Sequence, residues 1–100
     1  MALFALTYHY CDDMDLVAAH RPEHRAYLAE LFDRGELLVA GPLGEPGCPR
    51  GLLVLDVDSA DEVHKVAAAD PFMSREVITS YEVGTWTVSF GAERLDSRQP

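Results

Sequence analysis

The sequence predicts an α+β domain with the element order β–α–β–β–α–β, and three observations carry that reading. Four runs rich in aliphatic and aromatic residues, at 2–10, 36–43, 52–58 and 78–90, read as strands. Two amphipathic segments, one starting near Pro22 and one at Ala60, read as helices between the first and second strands and between the third and fourth. A loop with three glycines and two prolines in eight residues, "GEPGCPRG" at 44–51, joins the middle strands directly as a hairpin.

In "ALFALTYHY" (2–10), alternation puts Phe4, Leu6, Tyr8 and Tyr10 on one face and Leu3, Ala5, Thr7 and His9 on the other. "CDDMD" (11–15) reads as an acidic turn, and "LVAAH" as a short helical turn. The main helix is expected from Pro22, because proline suits the first helical position and disfavours helical angles at Arg21 before it. Glu23 complements the helix dipole and Gly35 stops the helix. Its apolar stripe is Tyr27, Leu28, Leu31 and Phe32, and one turn earlier His24 takes a place on that stripe. Ser59 followed by Glu62 is a capping-box pattern, which starts a helix over 60–69 with Ala60, Val63, Val66 and Ala67 facing inward. Asp70 precedes a proline, so "DPFMSREV" (70–77) breaks it. In the last strand Gly84 marks an expected bulge. Residues 1–90 then form one domain, and 91–100 a loose polar tail.

This order is the ferredoxin-like arrangement, an antiparallel sheet with both helices on one face. The other sheet face is left bare, and a homodimer packed through it is the simplest cover. The composition narrows the partners. A net charge of −9 and eight scattered basic residues argue against nucleic acid and anionic membranes. The apolar opening segment is too short for a signal peptide or a membrane span. Cys11 and Cys48 form no CxxC pair or disulfide framework, which fits a reducing cytoplasm.

The topology also predicts a site. If the first strand runs up, the start of the first helix and the end of the second both lie at the top. His24 in the first turn of one and Asp70 at the close of the other are thereby brought to one pole, on inward-facing stripes. A helix N-terminus would keep the imidazole neutral, and a carboxylate on one ring nitrogen would fix its tautomer and stabilise the imidazolium. Such a pair is a usable general acid and base. It is equally a satisfied polar contact holding two helices together.

Three motifs carry a family resemblance. "RPEH" at 21–24, "GELLVAGPL" at 35–43 and "DPF" at 70–72 match R-P-x-H, G-x-L-x-x-(A/G)-G-P-L and D-P-(F/Y), and the chain resembles the YCII-related proteins from residue 2 to about 88. The resemblance implies a dimeric α+β barrel of ferredoxin-like subunits and an active-site His–Asp pair, carried here by His24 and Asp70. It implies chemistry such as elimination from a chlorinated hydroxyquinol or lactone isomerisation. The family glycine after D-P-(F/Y) aligns with Glu76, where a side chain would narrow or recharge the pocket.

The remaining candidates divide between site and scaffold. Arg21 would clamp an anionic oxygen or cover the helix end. Tyr8, Phe72, Tyr81 and Trp86 would wall an aromatic pocket or pack in the core or dimer interface, and Ser74, four residues after Asp70, would reach the site or cap the next turn. No metal site is expected: Pro22 separates His20 from His24, no third ligand is suitably spaced, and His9 and His64 read as surface or edge residues. Cys48 has no adjacent base. No phosphate loop, nucleophile elbow or dinucleotide fingerprint is present, so the site is expected to need no cofactor. The sequence thus points to a small cytoplasmic homodimer in which His24 and Asp70 move a proton on an enol, lactone or hydroxyquinone-like small molecule. The alternatives are a non-catalytic ligand-binding or accessory domain and a purely structural oligomerisation domain.

Overall fold

A computed structural model of the chain describes residues 2–44 and 49–95. Its elements are β1 (Leu3–Tyr10), α1 (Met14–Asp33), β2 (Leu37–Leu43), β3 (Arg50–Asp56), α2 (Ala60–Ala69), α3 (Pro71–Ser74) and β4 (Ile78–Thr85), followed by a 3-10 turn at Ala92–Leu95. The sheet order is β2-β3-β1-β4 with every pairing antiparallel, which is the ferredoxin-like arrangement. Cys48 and the end of the expected tail lie outside the described residues.

The core fills the space between one sheet face and the helices. Phe4, Leu6 and Tyr8 of β1 stand beside Leu55, Leu53 and Gly51 of β3, and α1 and α2 cover them with Val17, Leu31, Val63, Val66 and Ala67, all buried. Each large side chain so buried stabilises the fold by about 1.5–3 kcal/mol. On the opposite face Leu3, Ala5, Thr7 and His9 remain half-buried.

Helix α1 begins eight residues before the expected start at Pro22 and runs through that proline. Asp13 is the reason: its carboxylate accepts the Leu16 N–H at 3.1 Å, and Asp15 adds negative charge in the first turn. Proline removes a single backbone bond and costs about 3 kcal/mol in a helix interior. The additional turns bury Val17 completely, which offsets much of that. The helix ends as expected at Gly35, whose φ of 79° suits glycine. Gly35 N–H donates to the Phe32 carbonyl and Glu36 N–H to that of Leu31, a Schellman closure. Phe32 is exposed, contrary to the expected stripe, because it lies about 80° round the helix from His24.

Helix α2 has the expected bounds. Ser59 accepts the Glu62 N–H at 3.4 Å, but the Glu62 carboxylate pairs with Lys65 at 3.2 Å, and Ala60 is exposed. Strand β4 stops at Thr85 rather than Phe90 because β1 begins at Leu3: the Trp86 N–H bonds the Leu3 carbonyl and no β1 residue remains to pair beyond it. Gly84 pairs regularly with Ala5, and the register shifts fall instead at His9/Tyr10 and Leu37/Val39.

Candidate functional site

Asp70 sits between two helices. Pro71 holds it in an extended conformation (φ −68°, ψ 129°), so it ends α2 and caps α3, with its Oδ1 accepting the Phe72 N–H at 2.9 Å. The carboxylate is 1% exposed. Burial of a charge is costly unless donors surround it, and they do. The Tyr8 hydroxyl donates to Oδ2 at 3.1 Å, and His24 Nδ1 lies 2.9 Å from both oxygens.

A carboxylate only accepts, so Nδ1 carries the proton and Nε2 remains for a molecule beside it. The His24 ring stacks flat on Phe72, with centroids 4.0 Å apart and planes 5° apart, and Tyr8 meets it edge-on. His24 is therefore fixed on one side by charge and on one face by an aromatic ring. It lies in the middle of α1, not in the first turn expected of it.

His24 lines a cavity of about 250 Å³ between α1 and the sheet. Helix α1 contributes Arg21, His24, Arg25 and Leu28, and α3 contributes Phe72. Tyr10, Leu53 and the β2 segment Ala40, Gly41 and Pro42 close the sheet side. Tyr10 packs edge-on against Phe72, and a Cβ at Gly51 would collide with its hydroxyl, so the bare glycine seats the phenol.

Burial, reinforced by the Asp70 charge, raises the tyrosines around this centre. Tyr10 is pushed up to about 12, with Arg21 pulling the other way, and Tyr27 likewise to about 12. Tyr8 is raised further, by burial first and then by Asp70. All three remain hydrogen-bond donors at neutral pH, and Tyr27 uses its hydroxyl to tie α1 to the Val66 carbonyl of α2 at 2.8 Å.

Of the candidates from the sequence, His24, Asp70, Phe72 and Arg21 come together here. Tyr8 is no cavity wall; it stands behind Asp70 as a second side-chain donor. Ser74 points away, exposed, with its hydroxyl on the Pro71 carbonyl. Trp86 lies at the Leu3 end of β1, opposite the Tyr10 end that borders the cavity. Tyr81 pairs with His64 at 2.7 Å, and His9 with Glu82 at 3.2 Å. His20 lies 3.6 Å from Glu23, and among the described residues no three His, Cys, Asp or Glu side chains are grouped to hold a metal ion. Arg25 and Tyr10 went unrecognised in the sequence. Arg25 was legible in principle, one helical turn beyond Arg21.

Glu76 does not enter the cavity. It is exposed at φ 61°, where its N–H bonds the Met73 carbonyl and Val77 N–H that of Phe72, a second Schellman closure. A glycine at this position would relieve the backbone rather than widen the cavity.

A ferredoxin-like domain with a buried His–Asp pair beside a small cavity defines the class. Residues 1–87 match the YCII-related domain, and the chain belongs to that family. It is similar in structure to 5-chloro-2-hydroxyhydroquinone dehydrochlorinase from Burkholderia phenoliruptrix AC1100, solved with 2,5-dihydroxybenzoquinone: TM-score 0.75 and 24% identity over 85% of this chain and 93% of that one. It also resembles the protein Atu4242 from Agrobacterium tumefaciens, with TM-score 0.58 and 17% identity over 92% of this chain and 98% of that one. An uncharacterised NIPSNAP domain protein from Burkholderia xenovorans gives TM-score 0.54 and 12% identity over 91% and 98%. No curated protein matches the chain. No helix among the described residues is long and apolar enough to cross a membrane.

Proposed function

We propose that the chain is a cofactor-free acid–base catalyst that eliminates from, or isomerises, a small enol, lactone or hydroxyquinone-like substrate. The observation that carries this is the orientation of His24: Nδ1 is held by a buried carboxylate at 2.9 Å while the same ring borders a cavity of about 250 Å³. Nε2 takes a proton from an O–H or C–H of the substrate. The released electron pair forms a new C=O or C=C bond. In an elimination the leaving group departs with its own pair; in an isomerisation the imidazolium returns the proton to another atom. Asp70 balances the imidazolium throughout, which makes the transfer easier than for an isolated histidine. The volume suits a single substituted ring, since a cavity of about 150 Å³ already admits benzene. The dehydrochlorinase of similar fold, which carries a quinone in its structure, supports a ring substrate.

The same reading takes residues 1–90 as the working unit, a cytoplasmic homodimer closed through the sheet face that bears Leu3, Ala5 and Thr7. The test is turnover of 5-chloro-2-hydroxyhydroquinone, followed as chloride release, and of a small enol lactone, followed by absorbance. Wild type should turn over one of them, and His24→Ala should lose about a hundredfold or more with fold and association state unchanged. Equal rates in the two proteins, or ligand binding without turnover of either class, would remove the catalytic reading and leave a binding module.

A further inference from the structure

We infer that the cavity selects an anion, a ring-sized molecule with one negative charge shared between two oxygens, and that Arg21 and Arg25 together are its recognition element. The inference rests on the proposed acid–base site and names the substrate class that site would take.

The charge inventory points there. The chain has 17 acidic and 8 basic residues, so a cation is far more easily paired than left alone. Arg34, Lys65 and Arg75 are paired, with Glu36, Glu62 and Glu23. Arg21 and Arg25, like Arg50 and Arg94, have no carboxylate partner among the described residues, and of these four it is Arg21 and Arg25 that line the cavity. None of the described residues that line it is acidic. The one carboxylate nearby, Asp70, is buried behind His24 and already accepts from three residues. A strongly acidic chain therefore presents a locally basic cleft.

Helix geometry makes the two arginines a pair. Four residues apart, they stand on one face about 6 Å apart along the axis. Arg21 is half-buried and its charge is felt at the Tyr10 phenol; Arg25 is exposed at the rim. His24 lies between them in sequence, about 60° round from Arg21 toward the core. An anion held by both guanidinium groups would place its ring against Leu28, Leu53 and Phe72, with a reacting bond near Nε2. Planar guanidinium suits an oxyanion whose charge is spread over two oxygens, which is the form of a carboxylate and of the ionised 1,3-related oxygens of a hydroxyquinone.

The experiment is calorimetric titration near pH 7 with two matched pairs of probes. Benzoate against benzamide tests a carboxylate; ionised 2,5-dihydroxybenzoquinone against neutral hydroquinone tests ring oxygens. In at least one pair the anion should bind about tenfold tighter or more than its neutral partner, and the pair that shows it identifies the source of the charge. Arg21→Gln and Arg25→Gln should each remove about tenfold of that affinity, while Arg34→Gln, paired with Glu36 outside the cavity, should not. Circular dichroism checks that each variant folds. Equal binding of charged and neutral partners, no binding of any probe, or an equal loss in Arg34→Gln would overturn the inference. The two readings fail separately: anion selectivity without any turnover sinks only the acid–base proposal. Turnover that is indifferent to both arginine substitutions sinks only this one.

Discussion

Replacing Asp70 by asparagine keeps the shape of the side chain and removes the one property that organises the site. The carboxylate accepts from Tyr8, His24 and the Phe72 N–H. Hydrogen bonds to a charged group stabilise by about 1.5–3 kcal/mol and neutral ones by about 0.5–1.5 kcal/mol, so each donor loses about 1 kcal/mol. The amide oxygen can keep the Phe72 N–H, and the Tyr8 hydroxyl can rotate to accept from the new NH2 group. The Nδ1–H of His24 cannot adapt by rotation. Lying 2.9 Å from both carboxyl positions, it would face the new NH2 group as well as the amide oxygen, and that donor–donor clash favours the tautomer with its proton on Nε2, turning that nitrogen from acceptor to donor. We therefore expect a stability loss of about 2 kcal/mol by urea denaturation at neutral pH, after allowing for the relief of burying no charge. Nitrogen-15 spectra of His24 should report the opposite tautomer. Activity should fall far more than stability, because the same exchange in a serine-protease triad costs about ten-thousand-fold through the wrong tautomer. An unchanged tautomer, or a stability loss below about 0.5 kcal/mol, would refute the assignment of Asp70 as the group that orients His24.

Three further outcomes are expected. Glu76→Gly relieves the left-handed backbone at φ 61° and should stabilise the fold by about 0.5–1 kcal/mol, several degrees in thermal melting, with the ligand affinity of the cavity unchanged. Gly51→Ala drives a methyl into the Tyr10 hydroxyl and should cost about 1–3 kcal/mol, with part of the loss recovered when Tyr10→Phe is added, as a double-mutant cycle would show. Tyr10 and Tyr27 ionise near 12 in the folded chain and near 10 when unfolded. The unfolded state therefore releases its protons first, so the stability these groups contribute is complete below pH 10 and is lost as pH rises toward 12. Urea midpoints across that range should fall, and Tyr10→Phe should flatten the fall.

The fold was legible because each level of the sequence agreed with the next. Strand alternation in 2–10, the Ser59 cap and the Gly35 stop each marked an element by its own physics, and their order left a single simple topology. The meeting of His24 and Asp70 was legible from their inward stripes, although His24 reaches Asp70 from the middle of α1 and not from the first turn expected of it. The errors came from local signals that tertiary packing overrode. Pro22 looked like a helix start, yet the Asp13 cap and the burial of Val17 carry α1 through it. Trp86 read as part of a strand, but strand length is set by the partner, and β1 ends the pairing. That the Tyr8 hydroxyl would serve Asp70 was not legible, because its target lies 62 residues away in the chain, a distance no local pattern encodes. Arg25 drew no reading, although its place one helical turn beyond Arg21 marks it for the same cleft.

Asp70 has two employments, one in architecture and one in orienting His24. It closes one helix and opens the next whatever His24 does, so a descendant that abandoned proton transfer would still be held to an aspartate there by folding alone. The imidazole closes no helix: without it Asp70 would keep the Tyr8 hydroxyl and its capping bond to the Phe72 N–H. On the proposed reading, the histidine is thus the position whose loss would mark a relative without proton transfer, whereas an aspartate kept at this place would follow from folding alone.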